Sequence, residues 1–240
     1  MTTNSDVAAK RLIGDKTRGS EDNSYNSLEE AKKEREARRI GERNRYIERY
    51  GIDLENPDNY DLIIDTSYAD PADTASTILK CMEHKLEGKP FTKNWTSPKL
   101  LLPLQNERET LSKASMTFEE MYESIERNGF LPDEPIEIVE VDGYKGIIEG
   151  HHRNFAAAEL GKTLVPYKVI GKDEDKLKYG GGTPTERFKT LTSNILYGHE
   201  EFIEIGEKKK NGVNSRFSYD DVYPGIYQKI KKLEQEKDER

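Results

Sequence analysis

Residues 146–170, GIIEGHHRNFAAAELGKTLVPYKVI, decide the fold of this chain. The opening GIIE is a short apolar run that reads as a strand, and Gly150 follows it as a corner. Residues 153–160 carry alanines and a leucine in a helix-forming pattern, Gly161 stops them, and VPYKVI reads as one further strand. A strand, a tight corner, a helix and a strand are thus written in one short stretch. The corner also holds two of the chain's four histidines, followed directly by an arginine.

Working outward, PIEIVEV and YKGIIEG flank Asp142-Gly143, a dipeptide suited to a two-residue turn, so the two runs read as a β-hairpin. Upstream, MTFEEMYESIERNGF predicts a helix with Thr117 as N-cap and Met116 against Met121 as a hydrophobic staple. Phe118, Met121, Tyr122 and Ile125 form its apolar stripe, and Gly129 ends it. KLLLPL is another short strand. Residues 99–172 therefore read as one α+β domain of mixed short strands and helices around a small core. Residues 173–240 read as an extension, with a glycine-rich loop whose positions 179–184 suit a mobile lid, and a charged helix at the end.

The first part of the chain has a different character. Residues 1–26 are polar and turn-rich, which predicts a flexible start. SLEE then places Ser27 as N-cap with Glu30 three positions on, opening a charged helix that runs to Tyr50 and is supported by surface pairs such as Glu34 with Arg38. After Gly51, YDLIIDTS reads as a buried strand. DPADTASTILKCMEHKLEG reads as a helix with Ile78, Leu79, Met82 and Leu86 on one face. Residues 27–88 thus form a helix, strand and helix. Residues 89–98 contain two prolines and read as a linker, where Trp95 is expected to pack rather than act.

Composition narrows the classes of function. Charged residues are 35% of the chain, above the roughly 25% of an average domain. A lone cysteine, Cys81, excludes a disulfide framework and a multi-cysteine metal site, and it fits a reducing compartment. No apolar run approaches the length of a bilayer, and MTTNSDVAAKRL lacks the apolar centre of a signal peptide, so a cytoplasmic protein without a membrane partner is expected. The net charge of −8 disfavours coating nucleic acid, although KKEREARRIGERNRYIER and KKKNGVNSR leave local contacts open.

The chemistry of the corner follows from its residue types. A helix N-terminus presents unpaired N–H groups and the positive end of the macrodipole, so it attracts anions. Gly150 allows close backbone approach, while His151, His152, Arg153 and Asn154 add side-chain donors for phosphate oxygens. Glu149 is a carboxylate that could hold magnesium or orient a hydroxyl. A plainer reading stands beside this one: adjacent residues point in different directions, so one histidine caps or packs while Arg153 makes a structural contact.

Residues 100–170 resemble the ParB/sulfiredoxin superfamily, through a helix ending SI…G, the EGHHR corner, the A-A…LG helix and VP before the last strand. EGHHR is closest to the DGHHR of that superfamily's free-serine kinases, with Glu149 in place of aspartate. Sulfiredoxins carry a catalytic cysteine in the corner and partition proteins carry GERRxRA; neither pattern is present here. The resemblance implies that the corner binds nucleotide phosphates and that a glutamate upstream, Glu107 or alternatively Glu109, takes the proton from a substrate hydroxyl. Residues 7–85 resemble the C-terminal part of cytidylate kinases, through RRIGERNRY and YGIDLENPDNYDLIIDTS, with Arg39, Arg43 and Arg45 in the place of lid arginines. The G-x-x-x-x-G-K-[ST] loop such kinases require is absent.

The expectation is an α+β small-molecule kinase of the ParB/sulfiredoxin fold, acting on a hydroxyl of serine or a similar metabolite. Glu107, Glu149 and His152 are the expected catalytic groups, Gly150, His151, His152, Arg153 and Asn154 the phosphate binders, and Glu149 the magnesium ligand. ATP or ADP is the expected donor, with CTP open, and a homodimer is open as well. The alternative is a CTP- or ATP-binding switch, or a nucleic-acid-associated module, without phosphotransfer.

Overall fold

In the computed structural model the described residues are 1–14, 25, 27–105, 118–178, 181–189 and, toward the end, 223, 225, 226, 228, 230–232 and 235. They divide into two units, Met1–Ala69 and Asp70–Arg240. The fold class is α+β.

In the first unit, α1 (Ser5–Gly14) lies within the stretch expected to be flexible. Asn4 Oδ1 accepts from the Asp6 N–H at its start, and Ala9 is fully buried. The long helix α2 (Leu28–Tyr50) begins and ends where its sequence signals stand. Ser27 Oγ accepts from the Glu30 N–H at 3.1 Å, and Gly51 at φ 67° closes the helix. Arg43 grips Asp53 with two hydrogen bonds of 2.7 and 2.6 Å, and Arg39 pairs with Glu36 and Glu55. These two arginines are therefore held by carboxylates of their own unit. A short strand, β1 (Ile63–Ile64), receives the Thr2 N–H at Ile64 O.

The second unit opens with α3 (Pro71–Leu86), whose N-terminal amides at Ala72 and Asp73 donate to Asp70 Oδ1. Its buried face differs from the expected one. Thr74, Thr77 and Cys81 point inward, while Leu79, Met82 and Leu86 are 60%, 53% and 84% exposed. Thr74 Oγ1 bonds back to Asp70 O at 2.9 Å, so its hydroxyl is not left unsatisfied. Burial also pushes the Cys81 thiol up to about 11, which leaves it protonated and inert.

β2 (Asn94–Thr96) lies within the stretch read as a linker, and Trp95 is buried there. It is followed by β3 (Leu101–Pro103), α4 (Phe118–Asn128), β4 (Ile136–Val141), β5 (Tyr144–Glu149), α5 (His151–Glu159) and β6 (Val165–Lys172). These strands lie side by side in the order β2-β6-β4-β5-β3. Pairing is mixed: β6 with β4 and β5 with β3 are parallel, while β2 with β6 and β4 with β5 are antiparallel. The turn at Asp142-Gly143 has φ 49° and 79°, the two positive angles that its sequence predicts.

One irregularity matters for the site. On β4 the residues Ile136, Ile138, Val139 and Val141 are all buried, and the register shifts beside Ile138 on both neighbours. The extra residues are Ile148 of β5 and Ile170 of β6, and β4 itself keeps its alternation, with Ile136 and Ile138 on one face and Val139 and Val141 on the face of the core cluster. Glu140 stays on the other side, between Lys145 at 3.8 Å and Lys172 at 2.9 Å.

The core joins Leu102, Leu104, Val139, Phe155 and Phe188. Gly146 sits beneath it: a Cβ there would run into the Leu104 side chain and come within 3.0 Å of Phe188 Cε2. Gly146→Ala is expected to cost about 1–3 kcal/mol by over-packing. Urea denaturation measures this, and an unchanged midpoint would mean that Leu104 and Phe188 have room to move.

Candidate functional site

The corner is built from the end of β5, the start of α5 and the end of β3, which runs parallel to β5. Gly150 makes the bend at φ 97° and ψ 21°, in the left-handed region that favours glycine. A Cβ would lie 3.2 Å from Arg153 Nη2 and 3.3 Å from Ile136 Cγ1, so the bend is also crowded. Among the described residues no side chain caps the N-terminus of α5. Its first-turn amides and dipole are therefore left for another acceptor.

His151 departs from the expectation. It is 8% exposed, and its Nε2 accepts the Leu104 N–H at 3.2 Å. The ring also bonds to the Ile147 backbone, which makes Nδ1 the protonated nitrogen donating to a carbonyl. Burial, reinforced by the neighbouring charge of His152, pushes its pKa down to about 3. The ring is thus neutral, with both nitrogens occupied, and it cannot donate to a phosphate. Its work is to tie the end of β3 to the β5–α5 corner.

Asn154 and Arg153 are corrected in the same sense. Asn154 is fully buried, and its Nδ2 donates to Pro98 O at 3.1 Å and to Tyr223 Oη at 2.7 Å. Its buried Oδ1 has no hydrogen-bond partner among the described residues. Since a phosphate offers only acceptors, Asn154 has nothing to give it. Arg153 directs Nη1 to Glu134 O at 2.8 Å and Nη2 to Pro135 O at 3.3 Å, bracing the loop before β4. Its fork faces protein carbonyls rather than an open anion site.

The remaining members are differently placed. His152 is half-buried at the second position of α5, and Glu149 is exposed at the end of β5. Glu149 stands opposite Glu137 in the β4–β5 register. Directly opposed like charges repel, which raises the affinity of the pair for a cation. Sequence reasoning missed Glu137. Two carboxylates together with phosphate oxygens are a fitting ligand set for magnesium, which dehydrates reluctantly and binds few protein groups. Among the described residues no group of three or more potential metal-binding side chains occurs. Glu107 and Glu109 lie outside the described residues.

No protein-family model matches the chain. The cytidylate kinase of Methanosphaera stadtmanae is 44% identical over 59 residues, covering 25% of this chain and 34% of the kinase. The chain thus spans about a third of the length of the curated relative it matches. The crystal structure of sulfiredoxin from Arabidopsis thaliana aligns with a TM-score of 0.27 at 26% identity, covering 32% of this chain and 84% of sulfiredoxin. Among the described residues no helix is long and apolar enough to cross a membrane.

Proposed function

We propose that the β5–α5 corner binds the phosphates of a nucleotide, and that the chain is a nucleotide-dependent kinase acting on a small hydroxyl metabolite. One observation carries the reading: left-handed Gly150 hands the chain into a helix whose first turn has no side-chain cap among the described residues. The backbone amides of His151, His152 and Arg153 become the phosphate donors in this account, and His152 the nearest side chain able to assist. Glu149 and Glu137 would hold the magnesium bound with the nucleotide. The ion supplies charge neutralisation for the transferring phosphoryl group.

The base comes from the segment after β3. Leu104 is tied to His151, and Glu107 follows it by three residues, a span of at most about 11 Å of chain. In this account Glu107 takes the proton of the substrate hydroxyl, the role that the resemblance to the free-serine kinases implies. Serine as the acceptor, and ATP, ADP or CTP as the nucleotide, rest on the resemblance of EGHHR to the free-serine kinases. The partial match to a cytidylate kinase supports no more than a nucleotide-related setting.

The test is phosphotransfer by the full chain from ATP, ADP or CTP with magnesium to a panel of hydroxyl amino acids and sugars. Turnover that falls at least 100-fold in Glu107→Gln, with nucleotide affinity unchanged, is the expected result. Glu137→Gln should weaken magnesium-nucleotide binding yet raise the melting temperature, because it relieves the cross-strand repulsion. Nucleotide binding without turnover would end the transfer proposal. It would leave the second reading, a nucleotide-binding switch without chemistry, which the engagement of His151, Arg153 and Asn154 with protein groups favours.

A further inference from the structure

A second site lies away from the corner, between α3, the C-terminal end of α4 and the turn before β6. It is a cleft of about 230 Å³, with Trp95 and Phe130 among its lining residues and Lys80, Lys162, Ser76 and Thr77 contributing polar groups. Asp73, Glu126 and Arg127 also face it, so its charges must be counted. Asp73 Oδ2 already accepts from the Thr163 N–H at 3.0 Å and from the Thr163 hydroxyl at 2.6 Å. Arg127 turns to Glu123 at 3.0 Å. Glu126 is exposed, so solvent screens its charge.

The two lysines are in another position. Lys80 Nζ donates to Asn128 O at 3.1 Å and lies over Gly129, and that carbonyl uses one of its three protons. Lys80 and Lys162 are each partly buried as residues, and neither is paired with a carboxylate among the described residues. Two cations lining one concave site, with hydroxyls beside them and an aromatic wall, are an arrangement that small acids complete.

We propose that this cleft binds a small metabolite through its acid group, a phosphate or a carboxylate, held by Lys80 and Lys162. The site shares no residue with the corner and stands or falls independently of the kinase reading.

Trp95 is the only tryptophan of the chain and lines the cleft, so its fluorescence reports on this site. The full chain is titrated with inorganic phosphate and, separately, with acetate, against sodium chloride at matched ionic strength. A saturable change with either anion is expected, and the anion that gives it names the acid group. Lys80→Met and Lys162→Met should each weaken that response at least tenfold, and Lys162→Arg should keep most of it. Circular dichroism checks that each variant is folded, and should Lys80→Met unfold, the two Lys162 variants carry the comparison. A response no different from chloride, or a saturable response unchanged in the lysine variants, overturns the proposal.

Discussion

Replacing His151 with alanine is expected to destabilise the second unit by about 3–5 kcal/mol. The change removes a buried ring, leaving a cavity, and strands the Leu104 N–H and the Ile147 carbonyl without partners. The wild type should also lose stability in acid for the same reason. Folding holds the ring neutral, with its pKa pushed down to about 3 from the ordinary 6.5. Between those values the unfolded chain binds a proton that the folded chain refuses. Stability is therefore highest above about pH 6.5 and falls as pH drops toward 3, by up to about 1.4 kcal/mol per pH unit. His151→Gln can keep an acceptor for Leu104 and a donor for Ile147 without titrating. Urea midpoints at pH 7 and pH 5 decide the matter. The wild type should lose more than His151→Gln over that interval, and equal losses would mean that the ring is not buried as described.

Gly150→Val is the second large effect, because it acts on folding and on binding together. An L side chain at φ 97° is strained by about 1–2 kcal/mol. Its Cβ would also press on Ile136 and on the Arg153 guanidinium, which braces the Glu134 and Pro135 carbonyls. A total cost of about 2–4 kcal/mol is expected. Nucleotide affinity should fall at least tenfold, since the first-turn amides shift with the bend. Urea denaturation and calorimetric titration with magnesium-ATP measure the two effects separately. A variant of normal stability and normal affinity would show that the bend tolerates a side chain and does not set the amides.

The parts of the fold that were legible are those whose signals are local. Asp142-Gly143 announces its turn, Ser27 and Gly51 bound α2, and Gly150 and Gly161 bracket α5. The parts that were not legible depend on distant partners. Asn94 pairs with Tyr167, and nothing within a three-residue strand flanked by prolines reveals a neighbour so far along the chain. The inward face of α3 carries Thr74, Thr77 and Cys81 while larger apolar residues stay outside, the reverse of what the apolar stripe of its sequence announces.

The site divides along the same line. That a helix starts just after a glycine corner could be read directly, and so could the presence of donors. Which donors are available could not, because His151 is used by Leu104, Arg153 by Glu134 and Pro135, and Asn154 by Pro98 and Tyr223, all contacts made by folding. Glu137 was hidden by the bulge. A regular hairpin through Asp142-Gly143 would pair it with Ile148, and the register shift beside Ile138 moves it opposite Glu149 instead.

The central claim is that the backbone amides at the start of α5 are the phosphate donors. Nuclear magnetic resonance of the isotope-labelled full chain, titrated with magnesium-ATP and magnesium-CTP, tests it directly. The largest amide shifts should fall on His151, His152 and Arg153, saturating together and weakening at least tenfold in Gly150→Val. Saturable nucleotide binding that leaves those three amides unmoved, or no binding at millimolar nucleotide, would contradict it.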